Sequence, residues 1–234
     1  MGATQVSQGY AICTAPRSGS NYLCQLLAGT ELLGRPLEYF NGPGRRFFDD
    51  PTYPDDPHDQ LRRITTMGAT SNGIYGLKLF AHQHDWIAGK VEWTRHLPKL
   101  HFVFLTRRDL LGQAISWAKA EQTGQYRHTQ SARKDPTFDS RKIMASLTAI
   151  AKENARWETF FARNGLQPVR LVYEDAVANP QLAVDRVALQ VGLKTGILAD
   201  VTRVQVRIQR DSSTEAWRSR FLRECRNLNF VDDL

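Results

Sequence analysis

Apolar positions along the chain fall in short continuous runs, separated by polar turns and by stretches of helical spacing. Tyr10–Ala15 reads YAICTA, the pattern of a strand buried on both faces. Ile74–Phe80 (IYGLKLF), Leu100–Thr106 (LHFVFLT), Val169–Tyr173 and Val204–Ile208 read the same way, so five strands are predicted. Tyr22, Leu23, Leu26 and Leu27 open a helix after the first strand, and Leu61 and Ile64 mark a short one over 58–68. Further helices are predicted over 85–96, Leu110–Ala120 and 140–163, the last with Trp157, Phe160 and Phe161 on its packing side. Two more follow, Pro180–Val191 and a terminal helix carrying Trp217, Arg218 and Arg220. Gly42–Pro57 holds four of the ten prolines and no periodicity, which predicts an irregular loop, a lid or collar over a ligand. Gln122–Phe138 is polar and basic around Tyr126 and predicts a second covering loop. Strands alternating with helices specify an α/β fold: a parallel central sheet flanked by helices on both faces. No repeat or linker interrupts the pattern, so residues 1–234 are expected to form one domain.

Chemistry concentrates where strands turn into helices. After the first strand comes Pro16-Arg17-Ser18-Gly19-Ser20, followed by Asn21. Backbone N–H groups and the positive end of a helix converge at such a turn. Arg17 adds a bidentate donor fork, and Ser18 and Ser20 add hydroxyls. A helix cap alone would explain one of these residues but not all of them. A Walker A loop needs Gly, four residues, then Gly-Lys-Ser/Thr; here Ala15 or Pro16 stands where the first Gly belongs, and no Lys follows Gly19. A phosphate or sulfate is therefore expected, not the triphosphate of a P-loop NTPase.

The second such turn is Arg107-Arg108-Asp109, directly after LHFVFLT. Ligands gather at the carboxyl ends of strands in open α/β sheets, so at least one of these arginines is expected to be functional rather than merely surface-exposed. Ser116, two turns into the next helix, is placed to share an oxyanion with one of them. Lys78 interrupts the second strand near its end, where a lysine either points into a site or snorkels out. Glu38, between Leu37 and Tyr39, is either a solvated loop residue, the commoner case, or a general base whose pKa its apolar neighbours raise toward working pH. His82 and His84 have no third ligand at recognisable spacing, so no metal is expected.

Composition narrows the partners. Hydrophobic residues make up 41% and charged residues 24%, which suits a globular domain with a sizeable core. The 31 basic against 24 acidic residues leave +7, which favours an anionic partner. They are spread along the chain without a basic run or an RNA motif, so a small anionic ligand is expected, not nucleic acid. Cys13, Cys24 and Cys225 read as thiols in a reducing compartment. No secretory pattern opens the chain and no apolar run approaches the ~20 residues of a membrane span. A cytoplasmic protein is expected.

Two basic turns in one α/β domain suit a ligand with two separate anionic ends, and here the chain resembles the Stf0 family of the sulfotransferase superfamily. The resemblance is carried by Ala15–Leu27 (APRSGSNYLCQLL), Gly34–Asn41 (GRPLEYFN), Gly76–Gln83 (GLKLFAHQ), the segment Val103–Tyr126, and Val169–Pro180 (VRLVYEDAVANP), in that order. It implies a P-loop-like sulfotransferase fold, 3′-phosphoadenosine 5′-phosphosulfate (PAPS) as sulfuryl donor, its 3′,5′-bisphosphate (PAP) as product, and no metal. By this resemblance Arg17, Ser18, Gly19, Ser20 and Asn21 hold the 5′-phosphosulfate. Arg107 and Ser116 hold the 3′-phosphate, and Gln209 and Arg210 lie where a C-terminal segment closes over the nucleotide. Glu38 is implied as general base, with Arg17 and Lys78 meeting the charge of the leaving group. The implied acceptor is a hydroxyl of a carbohydrate or glycolipid; a homodimer and a peripheral membrane contact are permitted. The residues alone leave two other readings. A P-loop nucleotide kinase or NTPase would need a loop lysine and a Mg²⁺-binding aspartate, for which Asp109 is a poor candidate. A non-catalytic nucleotide or polyanion binder would have no use for Glu38.

Overall fold

A computed structural model describes residues 6–127, 129–206 and 212–232. The first strand, β1, is Gln8–Thr14, and Tyr10 to Thr14 within it are all fully buried. A tight turn leads into helix α1, Ser20–Gly29. Helices α2, Gly42–Phe48, and α3, Pro57–Thr66, precede β2, Ile74–Phe80. Next come α4, Ala81–Ala88, a 3₁₀ turn at Trp93–His96, β3, Leu100–Thr106, and α5, Leu110–Thr123. The long α6 is Ser140–Arg163, followed by β4, Val169–Val172, and then α7, Tyr173–Ala178. Helices α8, Pro180–Gln190, and α9, Ser212–Cys225, end the described chain.

The four strands pair in parallel in the order β2-β1-β3-β4, with Ile12 opposite both Lys78 and Val103. Because side chains alternate along a strand, Ala11 and Cys13 join one core with Leu77, Phe104, Trp157 and Phe161 beneath α6. Tyr10 and Ile12 join the opposite core with Leu23, Leu27, Val184 and Val187 beneath α1 and α8. A third cluster, with Ile115, Ile150 and Trp217, fills the space between α5, α6 and α9. The Trp157 indole donates to the Thr14 carbonyl (3.1 Å), tying α6 to the last residue of β1. The chain leaves β1 toward β2 on one side and leaves β3 toward β4 on the other. The carboxyl ends of β1 and β3 therefore flank the crevice where open α/β sheets bind ligands.

Three expectations change. Gly42–Pro57 is not irregular throughout, because its first seven residues are α2. The Asn41 side chain accepts from Gly44 N (3.1 Å) and Pro43 sits in the first turn, a sound helix start despite two glycines. The helix expected over 85–96 is two pieces, α4 starting at Ala81 and the 3₁₀ turn. Residues 204–206 form no strand: the N–H groups of Gln205 and Val206 donate instead to the Gln25 side chain (2.8 and 3.1 Å). The rest of that expected strand, with Gln209 and Arg210, lies outside the described residues.

Candidate active site

The turn between β1 and α1, where the sequence expects an anion, is tightly wound. Arg17 and Gly19 are both left-handed (φ 61° and 88°), which is costly for arginine and characteristic of functional turns. Glycine is required at 19 for a second reason: a Cβ there would lie 2.1 Å from the Tyr173 ring. Gly19 is also the N-cap of α1, and among the described residues no N-cap side chain closes the helix. The first N–H groups of a helix lack intrahelical partners, so this end is left open to a ligand instead of being closed by serine. Ser20 and Asn21 line the cleft above it. Ser18 does not. It is buried, with its hydroxyl 2.7 Å from that of Thr14. Thr14 has one proton, and the Leu105 carbonyl (2.7 Å) can only accept it, so Ser18 donates to Thr14 and its proton is turned away from the cleft.

Arg17 and Arg107 meet here from two strand ends. Arg17 Nε donates to Ser116 Oγ (3.0 Å) and Nη1 to the Tyr126 carbonyl (2.7 Å). Arg107 Nη1 donates to the Arg17 carbonyl (3.1 Å), and its guanidinium lies over the Tyr173 ring at 5.4 Å. Burial, and then the charge of Arg107, push the Arg17 pKa down. Two cations crowded in this way favour an anion between them. Ser116 thus joins the cluster through Arg17, where the sequence pointed to Arg107 or Arg108. Arg108 turns out to solvent and forms an ion pair with Asp175 (2.8 Å), the surface reading for that residue. Asp109 is the N-cap of α5, accepting from Gly112 N (2.9 Å), and pairs with Arg218 (2.7 Å).

Across the same cleft, Glu38 is brought to Lys78 by backbone pairing. Leu37 bridges to Leu77, and Lys78 N donates to the Leu37 carbonyl (2.9 Å). Lys78 Nζ then lies 2.7 Å from Glu38 Oε1 and donates to Asn21 Oδ1 (2.7 Å), linking the carboxylate to the anion loop. Glu38 Oε2 accepts from Asn41 Nδ2 (2.7 Å) and Gln83 Nε2 (2.9 Å). Burial pushes the Glu38 carboxyl up, but the Lys78 charge and the hydrogen bonds from Lys78, Gln83 and Asn41 outweigh it and hold it at about 2. The expected upward shift is therefore overturned: the apolar neighbours in sequence are not the groups that touch the carboxylate. Gln83 and Asn41 were not legible as partners, because neutral amides on separate segments carry no spacing signal.

The cleft around these groups has a volume of about 1650 Å³, and Gln205 and Val206 also line it. The H-x-H pair does not act together: His82 faces Glu153 (3.5 Å) while His84 is packed against Trp93, Trp157 and Phe160. Among the described residues no group of three His, Cys, Asp or Glu side chains is placed to hold a metal ion, and no helix is long and apolar enough to cross a membrane. Cys13 and Cys24 are buried free thiols; burial pushes Cys24 up to about 12.

The comparisons with known proteins agree with this architecture. The chain is 26% identical over 211 residues to trehalose 2-sulfotransferase of Mycobacterium tuberculosis, covering 70% of this chain and 76% of that protein. It is 25% identical over 211 residues, with the same coverage, to trehalose 2-sulfotransferase of Mycolicibacterium smegmatis. The fold is similar to a sulfotransferase from Alicyclobacillus acidocaldarius, with a TM-score of 0.54 at 14% identity over 93% of this chain and 92% of that one. Residues 9–224 match the Stf0 sulphotransferase family, a span that takes in both basic turns, Glu38 and Lys78. With that match across nearly the whole chain and no P-loop lysine after Gly19, the kinase reading falls, and the chain belongs to the Stf0 sulphotransferase family.

Proposed function

We propose that this sulfotransferase takes its sulfuryl group from PAPS and places it on a hydroxyl of a carbohydrate or glycolipid, with Glu38 as general base. The observation that carries the reading is the junction of Glu38 with Lys78 (2.7 Å) in the cleft that also holds the Arg17 loop. PAPS is a substrate with separate 5′ and 3′ anionic groups, and the residues fit both. The open end of α1, with Gly19, Ser20, Asn21 and Lys78, suits the 5′-phosphosulfate. Arg107 with Ser116 suits the 3′-phosphate, and Arg17, assigned to the 5′ end, also reaches Ser116 and so lies between the two. Ser18 supports the turn through Thr14 and adds no side-chain contact. The name of the mycobacterial relatives points to a small carbohydrate acceptor.

In this mechanism Glu38 accepts the proton of the acceptor hydroxyl. The oxygen bonds to sulfur as the bond from sulfur to the bridging phosphate oxygen breaks, and the electron pair leaves on the bisphosphate. Charge is spread over the transferring group as in phosphoryl transfer, so the protein mainly positions and neutralises. A carboxyl held at about 2 is a poor base near neutral pH. Lys78 resolves this. An anionic group above Asn21 draws the ammonium from Glu38; the largest downward influence on the carboxyl is then withdrawn, and burial raises its pKa. The base is thereby strengthened when the donor arrives.

Isothermal titration with 3′,5′-adenosine bisphosphate, beside ATP-Mg²⁺, tests the donor. Binding of the bisphosphate with ATP silent is expected. ATP binding alone, or silence from both, would overturn the PAPS assignment.

A further inference from the structure

The contacts that line the cleft close into a circuit. Arg17 donates to the Tyr126 carbonyl, and the next residue, Arg127, places Nη1 and Nη2 on Asp49 Oδ1 and Oδ2 (2.5 and 2.9 Å). Asp49 is the C-cap of α2. Asn41 caps the other end of the same helix while holding Glu38, and Glu38 returns through Lys78 to Asn21. The Asp49–Arg127 pair therefore spans between the loop after α5, which touches Arg17 through Tyr126, and the helix anchored to Glu38, and both residues line the cleft.

This pair is built to bind. Asp49 also accepts from buried Arg45 (2.8 Å), so its carboxylate is fixed from two sides. The Arg127 guanidinium is stacked on the Phe48 ring at 4.4 Å, which sets the plane of its fork. The pair remains partly exposed, at 29% and 36% of the side chains. A carboxylate offers about four acceptor positions and a guanidinium five N–H donors, so three hydrogen bonds on Asp49 and two donors spent by Arg127 leave capacity of both kinds. Neighbouring sugar hydroxyls each donate and accept, and match such a mixed surface.

We propose that Asp49 and Arg127 form a subsite that holds non-reacting hydroxyls of the acceptor and so determine which carbohydrate is sulfated. The inference rests on the carbohydrate-acceptor reading. The test measures sulfuryl transfer from PAPS to trehalose, with a panel of other saccharides, for wild type, Asp49→Asn, Arg127→Gln and the exchanged pair Asp49→Arg/Arg127→Asp. Titration with 3′,5′-adenosine bisphosphate is the control for the donor site. Each single variant is expected to raise the acceptor KM about 10- to 100-fold, the size of a hydrogen bond to a charged group, with bisphosphate affinity unchanged. The exchanged pair swaps donor and acceptor and sets its cation at 49 against Arg45. Alongside its failure to recover, the single variants are expected to raise KM unequally across the saccharide panel, which a strap would not do. Unchanged acceptor KM in both single variants, or full recovery in the exchanged pair, would reduce the contact to a structural strap and overturn the proposal. A wild-type enzyme that binds bisphosphate but transfers to no saccharide would instead overturn the carbohydrate reading, and this subsite with it.

Discussion

Replacing Lys78 by methionine should invert the pH dependence that Glu38 contributes to stability. In the wild type the Glu38 carboxyl lies at about 2 against an ordinary 4.5. A carboxyl held that far below its ordinary value contributes on the order of 3 kcal/mol of stability. The folded chain binds this proton less readily than the unfolded chain. The stabilisation is therefore complete above pH 4.5 and is lost as the pH falls from 4.5 toward 2. Methionine keeps most of the length of the buried lysine but removes its charge, leaving burial opposed by the hydrogen bonds of Gln83 and Asn41. Breaking one half of a buried pair costs about 3–5 kcal/mol near neutral pH. The folded pKa then exceeds the unfolded one, the folded state binds the proton more readily, and the variant recovers stability as the pH drops from 7 toward 4.5. Urea unfolding of wild type, Lys78→Met and Lys78→Met/Glu38→Gln at pH 4.5–8 reads this directly. The wild-type-minus-variant difference should shrink on acidification for the single variant and stay flat for the double. A flat or growing difference for Lys78→Met would refute the charge balance assigned to Glu38.

Glu38→Gln should lower kcat by about 10²–10⁴-fold, the range of a general base, with bisphosphate affinity in titration retained; near-wild-type turnover would remove Glu38 as the base. Arg107→Ala should weaken 3′,5′-bisphosphate about 10- to 100-fold and the analogue lacking the 3′-phosphate far less; equal losses would take Arg107 out of the 3′ site. Gly19→Ala places a Cβ against Tyr173 at a left-handed position. It should cost at least ~1 kcal/mol, lower Tm by roughly 2–4 °C or more, and abolish tight bisphosphate binding; an unchanged Tm in calorimetry would mean that the turn does not hold the shape described.

Particular elements show where local reading succeeds. Ile74–Phe80, Leu100–Thr106 and the helix over 140–163 are found at their expected bounds, because buried parallel strands and amphipathic helices write their period into consecutive residues. Helix α2 was missed although Asn41 followed by Pro43 is a helix-start signature, since the glycines and prolines of 42–57 masked it. The strand expected at 204–206 failed for a tertiary reason: its N–H groups found a side chain on α1 instead of a neighbouring strand. Arg107 and Arg108 are adjacent and alike, yet one faces the cleft and the other Asp175, a choice made by the residues that α7 brings beside them.

By itself the chain determined the strand–turn–helix units and the chemical character of their turns, because propensity, periodicity and turn residues act over a few neighbours. The tertiary structure alone decided what those residues do. Ser18 is a support because Thr14 and Leu105 lie behind it. Glu38 is a low-pKa carboxylate because Lys78, Asn41 and Gln83 converge on it from β2, the start of α2 and α4. A protonation state is a balance of burial against nearby charge, and that balance exists only once distant segments have been packed together.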